Sequence, residues 1–121
     1  MANTFKVVTF AAEPASAGTP YKMYTVAGST TTVVLGLILT NIHTSAVTVE
    51  VELVSDTGSR GGANNVTNGT SFIVKDVTIP AGSSLERLSG GKVVMETTDY
   101  LNIDCSVADK VSGTLSIMEI T

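Results

Sequence analysis

From Val47 to Leu53 the chain reads Val-Thr-Val-Glu-Val-Glu-Leu, so Val47, Val49, Val51 and Leu53 project one way and Thr48, Glu50 and Glu52 the other. A strict period of two matches the pleat of a β-strand that meets a core on one face and water on the other. A helix would repeat its apolar positions every three to four residues. No segment of the chain shows convincing helical periodicity, and the expected class is all-β.

Strand-like runs follow at Thr4–Phe10, Tyr21–Val26, Thr32–His43, Ala46–Ser55, Ser71–Ile79, Ser84–Leu88, Lys92–Glu96, Tyr100–Val107 and Ser112–Ile120, with turn residues between them. Eight or nine short strands at this spacing predict a β-sandwich or barrel, and the fold expected is a single antiparallel, jelly-roll-like β-sandwich. Most joints are too short for the dozen or more residues of a parallel crossover. Thr44-Ser45 reads as a tight hairpin pairing the Val33 strand with the Val47 strand, and Asp109-Lys110 reads the same way for the last two strands. Val26-Ala-Gly-Ser-Thr30 and Pro80-Ala-Gly-Ser-Ser84 echo one another as equivalent corners or as a recurrence of common turn chemistry.

The 121 residues suit one domain with one core. Residues 1–20 read as an amino-terminal strand followed by a flexible arm, and residues 21–121 as the sandwich. Pro14, Gly18 and Pro20 mark the arm, whose alternative is a plain connecting loop. Val33–Leu39 is the longest apolar run, far short of the ~20 residues of a membrane helix. It reads as a central strand buried on both faces, with Gly36 marking a bulge or a close backbone approach. The Glu50 and Glu52 face should be solvated, whereas the second side of the Val33 strand should be covered by the other sheet or by another subunit.

Charge narrows the function. Only 15% of residues are charged, the net charge is -4, and Lys and Arg form no cluster. Capture of a phosphate backbone is therefore not expected, and neither nucleic acid nor membrane is expected as a partner. A surface this neutral belongs either to a Thr/Val-rich β domain or to one that hides part of itself against copies or partners.

The residues that carry chemistry are sparse. His43 stands beside a turn with no acid near it in sequence, and no nucleophile elbow occurs, so no catalytic residue is expected. Cys105 falls in the alternation Leu101, Ile103, Cys105, Val107 and reads as a small buried hydrophobe. One cysteine forms no internal disulfide, and Met-Ala-Asn-Thr-Phe-Lys lacks the pattern of a secretory leader, so the Asn-x-Ser/Thr matches at Asn65 and Asn68 carry little weight. Asp99, Asp104 and Asp109 are scattered singly, without a calcium-loop pattern. Gly61-Gly62 and Gly90-Gly91 sit between strands rather than before a helix, so neither is a phosphate loop. No metal or cofactor is expected. A glycan site would need stacking rings, and Tyr21, Tyr24 and Tyr100 are the candidates. Tyr21 and Tyr24, three positions apart, should face opposite sides of a regular strand.

The one long loop runs from Asp56 to Thr70 and is rich in Gly, Asn and Ser. Its Arg60, Gly61, Asn64, Asn65 and Asn68 offer adaptable hydrogen bonds to a partner subunit or a glycan, or they form a solvated hairpin tip. With Pro14 and Gly18 of the arm they are the candidate partner-contact residues.

Tyr24-Thr-Val-Ala-Gly-Ser-Thr-Thr-Thr-Val-Val-Leu-Gly-Leu-Ile-Leu-Thr-Asn41, His43-Thr-Ser-Ala-Val-Thr-Val-Glu-Val51 and Ile79-Pro-Ala-Gly-Ser-Ser-Leu-Glu-Arg-Leu-Ser-Gly-Gly-Lys-Val-Val-Met-Glu96 together resemble small virion structural proteins of tailed bacteriophages, of the marine and cyanobacterial phage type. The resemblance covers most of the chain from Tyr21 onward and consists of strand-and-turn patterns. It implies a β-sandwich that serves as a capsid decoration protein or a neck, tail or fibre subunit. The implied partners are copies of itself and other virion proteins such as the major capsid protein, with assembly in the bacterial cytoplasm. It brings no catalytic residues. A glycan-binding module for host attachment is the alternative.

Overall fold

The computed structural model describes residues 2–55, 69–88 and 90–121. Its strands are β1 (Asn3–Glu13), β2 (Tyr21–Thr25), β3 (Thr31–Asn41), β4 (Val47–Ser55), β5 (Gly69–Ile79), β6 (Ser84–Arg87), β7 (Val93–Met95), β8 (Tyr100–Cys105) and β9 (Val111–Ile120). Five of them form a sheet ordered β1-β9-β3-β6, with β7 also on β3, and the rest form a sheet ordered β2-β8-β4-β5. All pairs are antiparallel. The chain crosses between sheets at every connection except β4–β5 and β6–β7, which is the order of a jelly roll.

β6 and β7 act as one interrupted strand. β6 pairs with Leu37–Thr40 and β7 with Thr32–Val34, so they occupy successive stretches of the same edge of β3. Between those stretches β3 bulges: Val34 faces Ile117 of β9 and Gly36 faces Ser116, leaving Leu35 as the extra residue. Of the two meanings expected for Gly36, the bulge is the one realised, since a Cβ built there would touch nothing within 4 Å.

The two hairpins expected at Thr44-Ser45 and Asp109-Lys110 do not form. β3 and β4 lie in opposite sheets, as do β8 and β9, so both short joints are corners that carry the chain across the sandwich. Buried Asn41 turns the first corner. Its Nδ2 donates to the carbonyls of Ser45 and Ile79, both at 2.9 Å, and its Oδ1 accepts from the His43 amide at 2.8 Å. Its backbone bonds the β5–β6 connection twice, through Ser83 and Gly82. Ile42 donates to the Lys110 carbonyl, which brings the two corners side by side. At the opposite end buried Asp99 accepts from the Glu96 amide through Oδ2, and its carbonyl accepts from Val26. The two echoing turns therefore lie at opposite ends of the sandwich, one beside Asp99 and one beside Asn41.

The core lies between the sheets. Val34, Leu37 and Leu39 of β3 and Leu115 and Ile117 of β9 meet Val47, Val49 and Val51 of β4 and Leu101 and Ile103 of β8. Each such side chain contributes roughly 1.5–3 kcal/mol on leaving water. Cys105 is buried among them as a small hydrophobe. Among the described residues no buried side-chain nitrogen or oxygen lacks a hydrogen-bond partner.

Phe10 and Gly113 face one another across β1 and β9. A Cβ on Gly113 would overlap Cε1 and Cζ of Phe10, so the absent side chain is the space the ring fills. Tyr21 meets the same ring edge-on at 5.3 Å between centroids. Tyr24 also packs inward rather than to the opposite side as expected. β2 slips register between Lys22 and Tyr24 against β8, and that bulge reverses the alternation.

Candidate assembly surfaces

The two outer faces of the sandwich differ in chemistry. On the four-stranded sheet Glu50 pairs with Asp104, and Glu52 pairs with Asn102 on one side and Phe72 on the other. Lys75 Nζ lies 2.8 Å from Glu50 Oε1, and that carboxylate holds the ammonium above its ordinary range. Lys22 covers the Tyr100 ring at 4.0 Å, and Lys75 lies 4.6 Å from the Phe72 ring centroid. This charged face is the one foreshadowed by Glu50 and Glu52. β5, its edge strand, slips register on both sides of Val51, with Asp76 at a positive φ.

The outer face of the five-stranded sheet is neutral. Phe5 pairs with Met118, Met118 with Val33, and Val33 with Val94, so one apolar row crosses β1, β9, β3 and β7 in register. Phe5 is 72% exposed, Val94 62%, and the neighbouring Val7 63%. A second row runs Thr9, Thr114, Ile38 and Glu86. Ile38 is exposed as well. Within this single chain the second side of β3 is therefore not buried by the other sheet, which packs on the side of Thr32, Val34, Leu37, Leu39 and Asn41. Glu86, on the edge, is the one charged residue these two rows contain.

The expected contact residues separate. Pro14 is buried where β1 turns toward β2, and its carbonyl accepts from the Asp109 amide at 2.8 Å. Gly18 is exposed at φ +83°, a conformation that suits glycine, and its amide donates to Asp104 Oδ1 at 3.1 Å. The Ala11–Pro20 segment thus starts inside β1 and is tied to the β8–β9 corner at Asp109 and to β8 at Asp104, with a further bond from the Thr19 amide to Ser16. Arg60, Gly61, Asn64, Asn65 and Asn68 lie outside the described residues. β4 and β5, which flank them, pair up to Ser55 and Gly69.

A shallow cleft of about 210 Å³ is lined by Gly18, Thr48, Glu50, Asp76, Asp104, Cys105 and Ser106. Asp104 Oδ1 there accepts from the Gly18 and Cys105 amides, so this carboxylate shapes the backbone. His43 is not part of the cleft. Among the described residues no group of three or more His, Cys, Asp or Glu side chains is placed to hold a metal ion. No helix among them is long and apolar enough to cross a membrane.

Sequence reasoning missed a polar cluster between the sheets. The Tyr24 hydroxyl donates to Glu119 Oε2 at 2.6 Å and lies 2.7 Å from Thr32 Oγ1, while Lys6 Nζ lies 2.6 Å from Glu119 Oε1. Burial, reinforced by the Glu119 carboxylate, pushes the Tyr24 phenol up to about 12. Lys6 first, then Tyr24, holds the Glu119 carboxyl below its ordinary range. The cluster clamps β2 to β1, β3 and β9. Its only signal in the sequence is Glu119 at an inward position of an otherwise apolar alternation.

No protein-family model and no curated protein matches the chain. Among solved structures it is similar to a chain of the disulfide-linked pili that form Bacillus endospore appendages, at 15% identity, TM-score 0.48, over 99% of this chain and 87% of that one. It is also similar to the VP2 subviral particle of infectious bursal disease virus, at 12% identity and TM-score 0.50, and to the Gx strain of that virus, at 14% and 0.51. Each of these two matches covers 96% of this chain but only 32% of the viral one. This chain thus spans about a third of the viral chains, and the likeness to them is one of fold.

Proposed function

We propose that this chain is a non-enzymatic structural subunit of a phage virion, either a capsid decoration or cement protein or a head–tail or fibre subunit. It assembles in the bacterial cytoplasm and stabilises the particle through contacts with its own copies and with other virion proteins such as the major capsid protein. The observation that carries this reading is the contrast between a charged outer face built for water and a neutral one bearing exposed Phe5, Val7 and Val94. The strand-and-turn resemblance to phage virion proteins supplies the setting. Gly18 at the lip of the cleft and the Arg60–Asn68 segment are the proposed contacts with neighbours, with Pro14 shaping the first of them from beneath. Mass spectrometry and immunogold imaging of native particles test the reading: the chain should co-purify at a fixed copy number, and a strictly monomeric protein absent from virions would refute it.

A further inference from the structure

We propose that the outer face of the five-stranded sheet is a homotypic docking surface, on which a second copy packs face to face across the row Phe5, Met118, Val33 and Val94. The inference rests on the reading of the chain as a self-associating structural subunit and adds the partner and the surface.

Three observations select a second copy. The first is charge. The outward positions of β1, β9 and β3 carry only Asn, Phe, Val, Thr, Ala, Ser, Met, Ile and the bulge residues Leu35 and Gly36, while Lys6 and Glu119 of the same strands point inward and satisfy each other. A neutral face offers nothing to steer an acidic or basic partner, but it opposes itself without like-charge repulsion, as an isologous two-fold contact requires. Glu86, on the β6 edge, falls at the rim.

The second is area. β9 has ten residues and lies among four ranks of strands, so the face measures roughly 33 Å by 19 Å from standard strand rise and spacing. Covering it removes about 600 Å² of face per copy and about 1,200 Å² per pair, at the lower end of stable specific interfaces. The third is shape. Residues facing out from β9 are Ser112, Thr114, Ser116, Met118 and Ile120, mostly small, so the middle of the face is low while the exposed Phe5 ring stands out at one side. Two such sheets stack about 10 Å apart, as sandwich layers do.

The test is the mass of the full chain by sedimentation velocity across a wide concentration range, for the wild type, F5E, V94K and the control F72E. Phe72 is 48% exposed on the opposite, charged sheet, so it matches the others in chemistry but not in place. The wild type and F72E should reach twice the 12.5 kDa chain mass. F5E and V94K should keep the β-sheet circular dichroism of the wild type and weaken association at least about 30-fold, as loss of an apolar hot-spot side chain does. A wild type that stays monomeric throughout overturns the inference, as does an oligomer that survives both F5E and V94K or one that F72E abolishes equally. Copy number on native particles is measured separately. A monomer found on virions refutes this interface and leaves the structural role standing, whereas a dimer absent from virions does the reverse.

Discussion

The Tyr24 hydroxyl on one sheet donates to Glu119 Oε2 on the other at 2.6 Å, and Glu119 is only 14% exposed. A phenol raised to about 12 is protonated in the fold at pH values where an unfolded tyrosine ionises, so its contribution is complete below pH ~10 and is lost as pH rises toward 12. Glu119 acts with the opposite sign. Its lowered carboxyl contributes fully above the ordinary carboxylate range and loses that contribution as pH falls through its folded value. Tyr24→Phe should cost about 1–2 kcal/mol at neutral pH and flatten the alkaline limb of a Tm-versus-pH curve. Glu119→Gln should flatten the acid limb.

Phe10 occupies the space above Gly113, so the two positions should be coupled. Gly113→Ala should destabilise by about 1–3 kcal/mol through overpacking. Phe10→Ala should cost about 3–5 kcal/mol, and in that background the added methyl of Gly113→Ala should cost far less. Urea unfolding of the four proteins in this cycle checks the coupling, and additive losses would disprove it.

Asn41 satisfies two carbonyls and one amide at the corner between sheets. Asn41→Ala strands those groups and should lower stability by about 2–4 kcal/mol, seen as a lower urea midpoint at an unchanged slope. His43→Ala, which keeps the amide that Asn41 accepts from, should change stability by less than about 0.5 kcal/mol.

Cys105 is buried in the core, so its thiol should react with an aromatic disulfide reagent only when the chain opens. The labelling rate should track the opening equilibrium and rise in parallel with urea. Rapid labelling of the native protein would place the thiol at the surface.

β4 and β5 pair up to Ser55 and Gly69, so a short turn can close them. Replacing Thr57–Asn68 by Asn-Gly leaves a three-residue connection of common hairpin length. The melting temperature should stay within a few degrees of the wild type while occupancy on particles falls; unchanged occupancy would free Arg60 and its neighbours of a contact role.

What the sequence determined by itself was local. Strand-like runs bounded by turn residues, the alternation at Val47–Leu53 clearest among them, placed the nine described strands to within a few residues, because a pleat writes its burial into every second position. It also marked Glu50 and Glu52 as the solvated side and Cys105 as core. The tertiary structure decided which strands pair. A two-residue joint such as Thr44-Ser45 has the same length in a hairpin and in an inter-sheet corner, and Asn41, bonded to Ile79 38 residues away, turned it into a corner. Tyr21 and Tyr24 share a side only because β2 slips against β8, a register set by the partner strand. The neutral face took shape only in the sheet: Phe5, Val33, Val94 and Met118 are far apart in the chain and meet through long-range pairing, which single-strand periodicity does not encode.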